Sequence, residues 1–180
     1  MCKRQCRNGG DMKDNIVLIG FMGCGKTSVG IKLSYQRRQT MIDTDRWIEK
    51  KQKMSVSEIF QTCGEEAFRR METQCLKELV RTADRQIISA GGGLPMREEN
   101  HALLKKLGKV FYLKVTPETV YERLKDDTTR PLLQVEDPMG RIRALMERRA
   151  PVYESCADVT VEVSDKSFEE ILREIEGVLP

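Results

Sequence analysis

Short apolar runs alternate along the chain with longer segments in which apolar residues recur at helical spacing. The apolar runs predict five strands, at 16–19, 40–42, 86–90, 110–115 and 159–163. The amphipathic segments predict helices at 27–35, from 55 onward, at 65–80, up to 107, after 117, from 138 to about 149 and after 167. Strands that alternate with helices predict an α/β fold in which helices cover both faces of a parallel sheet.

Capping residues mark several of these helix boundaries. Ser55 with Glu58, and Ser167 with Glu170, supply the hydroxyl and the carboxylate of two capping boxes. Gly108 stands where the helix before the fourth strand is expected to end. Because these signals continue to the end of the chain, we expect one domain over 14–180, preceded by a disordered extension at 1–13.

Composition argues against several functional classes. The 180 residues include 31 basic and 28 acidic side chains, a net charge of +3 that is too balanced for a dedicated nucleic-acid binder. The six cysteines form no CxxC pair and there is one histidine, so a zinc site is not expected. No apolar stretch approaches the length of a membrane span. We therefore expect a cytoplasmic monomer with reduced thiols and a small-molecule substrate, without a nucleic-acid or membrane partner.

A glycine-rich segment follows the first predicted strand. Residues 20–27 read GFMGCGKT and satisfy G-x-x-x-x-G-K-[ST] between a strand and a helix, the context that this phosphate-binding motif requires. In such a loop, backbone amides surround the phosphates of ATP, Lys26 neutralises their charge and the Thr27 hydroxyl coordinates Mg²⁺. The expected nucleotide contacts are Gly23, Cys24, Gly25, Lys26, Thr27 and Ser28. The Cys24 thiol, at a helix N-terminus, is also expected to be reactive.

A phosphate-binding loop does not define the reaction, so a regulatory nucleotide switch must be weighed against an enzyme. A guanine-nucleotide switch would carry an N-K-x-D motif, which this sequence does not contain. Its D-x-x-G motif should follow the third strand, whereas the stretch from Asp137 to Gly140 opens a late helix. The sequence therefore favours a phosphotransferase, and a switch remains the lesser alternative.

Charged and glycine residues follow two further predicted strands. Asp43 and Asp45 come directly after the second strand, and three glycines at 91–93 follow the third. Ligands of open α/β sheets bind beyond the carboxyl ends of the strands, so we expect these residues to meet the phosphate loop there. The third strand lacks the aspartate that many phosphate-loop enzymes use for Mg²⁺, which leaves Asp43 as the substitute.

Four further motifs lie along the chain. They are Phe68-Arg69-x-x-Glu72, the triple glycine with Pro95, Arg130-Pro131-Leu132 and Arg149-Ala150-Pro151-Val152-Tyr153. With this combination, the chain from about 16 to 163 resembles the shikimate kinase family. The resemblance implies a three-layer P-loop NTPase fold like that of nucleoside monophosphate kinases, with five parallel strands in the order 2-3-1-4-5. It also implies Mg·ATP-dependent phosphorylation of the 3-hydroxyl of shikimate, a step of aromatic amino-acid biosynthesis.

The resemblance further implies roles for single residues. It makes Asp45 the partner of the acceptor hydroxyls and the candidate catalytic base, and Asp43 a holder of Mg²⁺ with Thr27. Arg69 and Arg149 would bind the shikimate carboxylate, because the planar guanidinium group matches two carboxylate oxygens. The remaining expected substrate contacts are Gly91, Gly92 and Gly93, where backbone amides could approach the acceptor closely.

Three basic residues complete the expected site. Arg130 lies in a polar segment at about 125–136 that corresponds to a small lid, and closure would bring its charge onto the transferring phosphate. With Lys26 and Asp45, Arg130 makes up the expected catalytic set. Arg123 and Lys166 would lie near the adenine of ATP.

Another small-molecule or nucleoside monophosphate kinase of the same fold is the alternative enzyme. Such a kinase would lack a carboxylate clamp formed by Arg69 and Arg149. His101, on a polar helical stretch, is expected at the surface, and Trp47 is expected either beside the acceptor pocket or in the core.

Overall fold

Five parallel strands form the sheet at the centre of the molecule. The structure is a computed structural model, and it describes residues 13–125 and 135–179. The strands are β1 (Ile16–Ile19), β2 (Thr40–Asp43), β3 (Gln86–Ser89), β4 (Lys109–Lys114) and β5 (Val159–Glu162). Their order across the sheet is β2-β3-β1-β4-β5 and every pairing is parallel, which confirms the predicted order 2-3-1-4-5.

Helices cover both faces of this sheet. In the described residues they are α1 (Lys26–Arg37), α2 (Thr44–Gln52), α3 (Val56–Cys63), α4 (Glu65–Thr82), α5 (Glu98–Leu107), α6 (Pro117–Leu124), α7 (Pro138–Cys156) and α8 (Phe168–Glu176). Helix α1 contacts α8 and strands β2 and β3 on one face, while α5 and α7 contact β4 on the other and α4 packs on α5. The three-layer α/β prediction is therefore confirmed. Among the described residues, none of the helices combines the length and the apolar character of a membrane span.

The central strands are buried on both sides, as parallel strands between two helical layers must be. Every residue of β1 is at most 2% exposed, and Val110, Phe111 and Leu113 of β4 are fully buried. This burial explains why these strands form continuous apolar runs in the sequence. Because all five strands run in the same direction, their carboxyl ends meet at one edge of the sheet.

Asn15 joins four elements at the opposite edge of the sheet. Its buried side-chain amide donates hydrogen bonds to the carbonyls of Leu107 (2.7 Å) and Ala83 (3.3 Å), and its Oδ1 accepts one from the Gln86 amide (2.9 Å). Gly108 passes so close to the Asn15 carbonyl that a side chain there would collide with it. The predicted helix stop at Gly108 is thus also a close approach of two backbone segments.

Two helices differ from the sequence prediction. No helix was predicted directly after β2, but α2 begins at Thr44, where the Oδ1 of Asp43 accepts hydrogen bonds from the amides of Asp45 (3.1 Å) and Arg46 (3.3 Å). The pattern looked like a turn because an aspartate that caps a helix also favours turns.

Helix α7 was predicted to end near Arg149, but it continues through Pro151 to Cys156. A proline inside a helix costs about 3 kcal/mol because it removes one hydrogen bond and crowds the preceding turn. The complete burial of Tyr153 and Cys156 in the last turns offsets that cost.

Two predicted segments lie largely outside the described residues. Of the predicted extension at 1–13, only Lys13 is described. Of the predicted lid at 125–136, only Lys125, Val135 and Glu136 are described.

Candidate active site

The glycine-rich loop at 20–27 connects β1 to α1 at the carboxyl edge of the sheet. Gly23 and Gly25 have φ values of 75° and 95°, a left-handed backbone that turns the amide groups inward. No hydrogen bond among the described residues uses the N–H groups of Gly25, Lys26 or Thr27. These unused donors at the N-terminus of α1 form a site for anionic phosphate oxygens.

Lys26 reaches across this loop. Its Nζ donates hydrogen bonds to the carbonyls of Gly20 (2.8 Å) and Phe21 (3.0 Å), and it lies 3.6 Å from the Sγ of Cys24. The ammonium group is therefore held next to the amides that would surround a phosphate.

Cys24 belongs to the loop through its backbone, since its side chain is only 2% exposed and packs beneath the loop. Such burial denies a reagent access to the thiol, so the structure does not support the predicted reactivity of Cys24.

Asp43 connects the phosphate loop to the end of β2. Its Oδ2 accepts a hydrogen bond from the Thr27 hydroxyl (3.2 Å), while its Oδ1 caps α2. Asp43 is also paired in the sheet with the buried Ser89, the position on β3 where the expected aspartate is missing. The two oxygen ligands predicted for Mg²⁺, from Thr27 and Asp43, are therefore neighbours. Both are hard oxygen donors of the kind that Mg²⁺ takes beside phosphate oxygens and water.

The three glycines after β3 make room for side chains from other elements. A Cβ at Gly91 would lie 2.5 Å from Oδ1 of Asp45 and 2.9 Å from Oε1 of Glu72. A Cβ at Gly93 would overlap the guanidinium group of Arg69. Asp45, Glu72 and Arg69 therefore converge on the glycine loop. The glycines are needed for this packing of protein side chains, and not only for the approach of a substrate.

Arg69 on α4 is held in a defined orientation. Its NH1 donates to Oε2 of Glu72 (2.8 Å), and its NH2 donates to Oε1 of Glu65 (2.8 Å). The guanidinium group also lies over the rings of Phe68 (5.6 Å) and Phe60 (5.9 Å). Burial lowers the pKa of Arg69, but the two carboxylates raise it by more, so the net shift is upward and the group stays charged.

Glu72 is the most unusual ionisable group of the site. Its side chain is only 1% exposed, and its Oε1 has no hydrogen-bond partner among the described residues. Burial raises the pKa of Glu72 to about 7, although the neighbouring Arg69 pulls it in the opposite direction. The charge of Asp45, whose carboxyl group also lies against Gly91, contributes to the increase in the pKa of Glu72.

Helix α7 brings the second predicted arginine to the pocket. The guanidinium carbon of Arg149 lies 5.6 Å from the centre of the Phe21 ring, next to the phosphate loop. One turn further on, the buried Tyr153 donates a hydrogen bond to the Gly92 carbonyl (2.6 Å). That bond ties the helix that carries Arg149 to the glycine loop, and burial raises the pKa of the Tyr153 hydroxyl, which stays protonated.

The remaining predicted residues have different surroundings. The NH1 of Arg123 donates to the Gly23 carbonyl (3.0 Å), which places its side chain at the phosphate loop. Lys166 forms an ion pair with Glu174 beyond β5. Arg130 lies outside the described residues.

His101 is not a free surface side chain, contrary to the sequence prediction. Its Nε2 lies 2.7 Å from the Pro95 carbonyl, so α5 holds the segment that follows the three glycines. Trp47 is partly buried against the core, and the Lys51 ammonium lies over its ring at 4.4 Å.

Sequence reasoning assigned no role to four residues that shape this site: Thr44, Phe60, Glu72 and Tyr153. Glu72 could have been recognised from its spacing of three residues from Arg69 on a helix, which places two side chains side by side. The contacts of Thr44 and Tyr153 join segments far apart in sequence, and no local pattern reports them.

Known proteins match this chain over most of its length. A profile of the shikimate kinase family matches residues 22–179. A shikimate kinase of Thermodesulfovibrio yellowstonii is 44% identical over 165 residues, which cover 90% of this chain and 95% of the relative. A shikimate kinase of Thermus thermophilus is 44% identical over 161 residues, which cover 89% of this chain and 86% of the relative.

Solved structures give the same result. Shikimate kinase from Acinetobacter baumannii in complex with shikimate superposes with a TM-score of 0.86 and 35% identity, covering 92% of each chain. A gluconokinase from Sinorhizobium meliloti superposes with a TM-score of 0.55 and covers 91% of this chain and 89% of its own. At 14% identity, the likeness to the gluconokinase shows a common fold alone.

Proposed function

The chain belongs to the shikimate kinase family and catalyses the ATP-dependent phosphorylation of shikimate, and we propose that it transfers the phosphoryl group to the 3-hydroxyl through the residues described above. One observation carries this assignment: Asp45, Glu72 and Arg69 converge on the glycine loop, one strand away from the phosphate loop. This arrangement supplies a carboxylate for a hydroxyl group and a guanidinium for a carboxylate, next to a site for ATP.

The donor half of the site is the phosphate loop. We assign the phosphate contacts to Gly23, Cys24, Gly25, Lys26, Thr27 and Ser28. The inward amides would hold the phosphates, and Lys26 would exchange its bonds to loop carbonyls for contacts with the phosphates as they arrive. Arg123 and Lys166 would contact the nucleotide on the adenine side, and the ion pair with Glu174 would orient Lys166 there.

Mg²⁺ would be held by Thr27 and Asp43. Their side-chain oxygens are 3.2 Å apart at the end of β2. When bound, the ion would neutralise charge that develops on the phosphate oxygens. Asp43 already caps α2 with its other oxygen, so the carboxylate is oriented before a metal binds.

The acceptor half is built around the glycine loop. Asp45 would accept the proton of the attacking hydroxyl, and the amides of Gly92 and Gly93 would bind the acceptor next to it, with Gly91 closing the wall of the pocket. Arg69 and Arg149 would bind the carboxylate from α4 and α7. The N–H groups of Gly92 and Gly93 make no hydrogen bond within the described part of the chain, so they are free to bind shikimate.

Arg130 would complete the catalytic set with Lys26 and Asp45. A guanidinium group that arrives when a lid closes stabilises charge on the transferring phosphoryl group and excludes water.

The free thiols of Cys24, Cys63, Cys75 and Cys156 fit the reducing interior of a cell, and we propose a cytoplasmic monomer with no nucleic-acid or membrane partner.

A coupled assay of ADP release tests the choice of acceptor. The purified chain should release ADP from Mg·ATP with shikimate, and should show no comparable release with gluconate or nucleoside monophosphates. Turnover of gluconate or CMP without turnover of shikimate would reject the proposed function.

A further inference from the structure

Thr44 is a fully buried residue between the two aspartates at the end of β2. Its side chain is 0% exposed, and its Oγ1 accepts a hydrogen bond from the Gly91 amide at 2.8 Å. The bond joins two segments that are 47 residues apart in sequence. The backbone pairing of β2 with β3 ends at Asp43 and Ser89, so this hydroxyl continues the connection beyond the last pair of the sheet.

The position of Gly91 matters because the acidic side chains of the pocket rest on it. A Cβ in place of one Cα hydrogen of Gly91 would lie 2.5 Å from Oδ1 of Asp45 and 2.9 Å from Oε1 of Glu72. The Gly91 backbone therefore packs directly against the two carboxyl groups. A displacement of a few tenths of an ångström at Gly91 must therefore move the carboxyl groups or the amides that follow in the loop.

The neighbours of Thr44 are fixed from the opposite side. Asp43 binds the Thr27 hydroxyl and caps the first turn of α2, which fixes the backbone of Asp45. On the far side of the glycine loop, the Ala90 amide donates to the Leu18 carbonyl of β1 at 3.0 Å. The Thr44 hydroxyl is thus the link that sets the distance between the start of α2 and the glycine loop.

We propose that Thr44 is a positioning residue for phosphoryl transfer, which holds the Asp45 carboxylate and the amides of Gly92 and Gly93 at the spacing that the acceptor requires. The inference rests on the proposed function, which places the acceptor between Asp45 and those amides. Thr44 itself would contact neither substrate. Its loss should therefore impair the acceptor reaction while the phosphate loop still binds ATP.

Thr44→Val tests this role because it removes the hydroxyl oxygen that accepts the hydrogen bond from the Gly91 amide. It puts a methyl group in that place. A buried N–H then loses its partner, and a methyl group cannot approach within 2.8 Å. We expect kcat/KM for shikimate to fall roughly ten- to hundredfold, as expected when reacting groups are displaced within a site. The Kd for Mg·ATP, measured by calorimetry without shikimate, should remain within about twofold.

Two further substitutions at the same position separate positioning from packing. Thr44→Ser keeps the hydroxyl and should restore kcat/KM to within about threefold of the wild-type value. Thr44→Ala removes the oxygen without adding a methyl group against the loop, and it should be impaired as Thr44→Val is. The alanine variant also serves if the valine variant does not fold.

Thr73→Val is the matched control, since Thr73 is another buried threonine, 4% exposed. Within the described part of the chain, its hydroxyl makes one hydrogen bond, to the Arg69 carbonyl one turn earlier in the same helix. This variant should keep wild-type kinetics. A purely structural role for Thr44 would lower the midpoint of thermal unfolding and leave kcat/KM per folded molecule unchanged.

The inference is wrong if Thr44→Val and Thr44→Ala keep wild-type kcat/KM for shikimate, if Thr44→Ser is as impaired as they are, or if ATP binding falls equally. Failure of the proposed function would look different. In that case the wild-type chain itself would not phosphorylate shikimate.

Discussion

Arg69 depends on the shape of its side chain as well as on its charge. The Nε and NH2 groups of its guanidinium donate to Glu65, NH1 donates to Glu72, and the face of the group covers Phe60 and Phe68. These contacts fix the orientation of a planar group with several parallel N–H donors. A lysine ammonium would preserve the charge and lose this orientation.

Arg69→Lys should lower kcat/KM for shikimate by roughly ten- to 150-fold, which corresponds to the loss of about 1.5–3 kcal/mol from a charge-assisted hydrogen bond. The KM for ATP should hardly change, because we propose that Arg69 contacts shikimate and not the nucleotide. Steady-state kinetics with each substrate varied in turn measures both effects.

Arg70→Lys is the matched control on the same helix, because Arg70 is exposed and pairs only loosely with Glu66 at 3.6 Å. Lys26→Ala provides the contrast, since it should depress kcat even when both substrates saturate. If Arg69→Lys weakened ATP binding as much as shikimate binding, Arg69 would not be a carboxylate ligand.

Glu72 should make the stability of the fold depend on pH. Its pKa is raised from 4.5 to about 7, first because burial disfavours the charged carboxylate. A raised acidic pKa means that the folded state holds the proton more tightly than the unfolded state. Proton binding at Glu72 therefore stabilises the folded state fully below about pH 4.5, and this stabilisation is lost as the pH rises through about 7.

Glu72→Gln should remove this dependence, because an amide does not titrate. In urea unfolding at several values between about pH 5 and 8, the wild type should lose on the order of 2 kcal/mol relative to the variant. Parallel stability curves for the two proteins would show that Glu72 does not titrate in this range.

At the scale of elements, the site combines the residues that follow β1, β2 and β3 with side chains from α4 and α7. The capping boxes at Ser55 and Ser167 were predicted from sequence and are present, because each depends on residues three apart. Helix α2 was missed because Asp43 caps it directly from the strand, without an intervening loop. The link from Thr44 to Gly91 could not be predicted, since it requires the register between β2 and β3.

Asn15 is the element-scale test of stability apart from catalysis. Asn15→Ala should leave the Gln86 amide and two carbonyls without their partner, at a cost of about 2–4 kcal/mol in the free energy of unfolding. Asn15 lies at the edge of the sheet opposite the site, so kcat and both KM values should stay near wild type. A kinetic defect without a loss of stability in urea would contradict this separation.

At the scale of the whole molecule, the parallel sheet brings the phosphate loop, the aspartates and the glycine loop to one edge. The order β2-β3-β1-β4-β5 makes β3 the neighbour of both β1 and β2, so the acceptor groups lie beside the phosphate loop. The sequence predicted this order through the family resemblance. The fold does not choose the acceptor, because a gluconokinase shares it at 14% identity. We propose that Arg69, Asp45 and the glycine loop make that choice.

The position of the transferred phosphate is the most direct test of the proposed 3-hydroxyl transfer. After incubation of the chain with Mg·ATP and shikimate, two-dimensional ³¹P–¹H NMR of the products identifies the carbon that bears the new phosphate ester. We predict one product, in which the phosphorus couples to the proton on C3 of shikimate. A phosphate on another hydroxyl, or the absence of any shikimate phosphate under conditions in which the chain binds ATP, would contradict it.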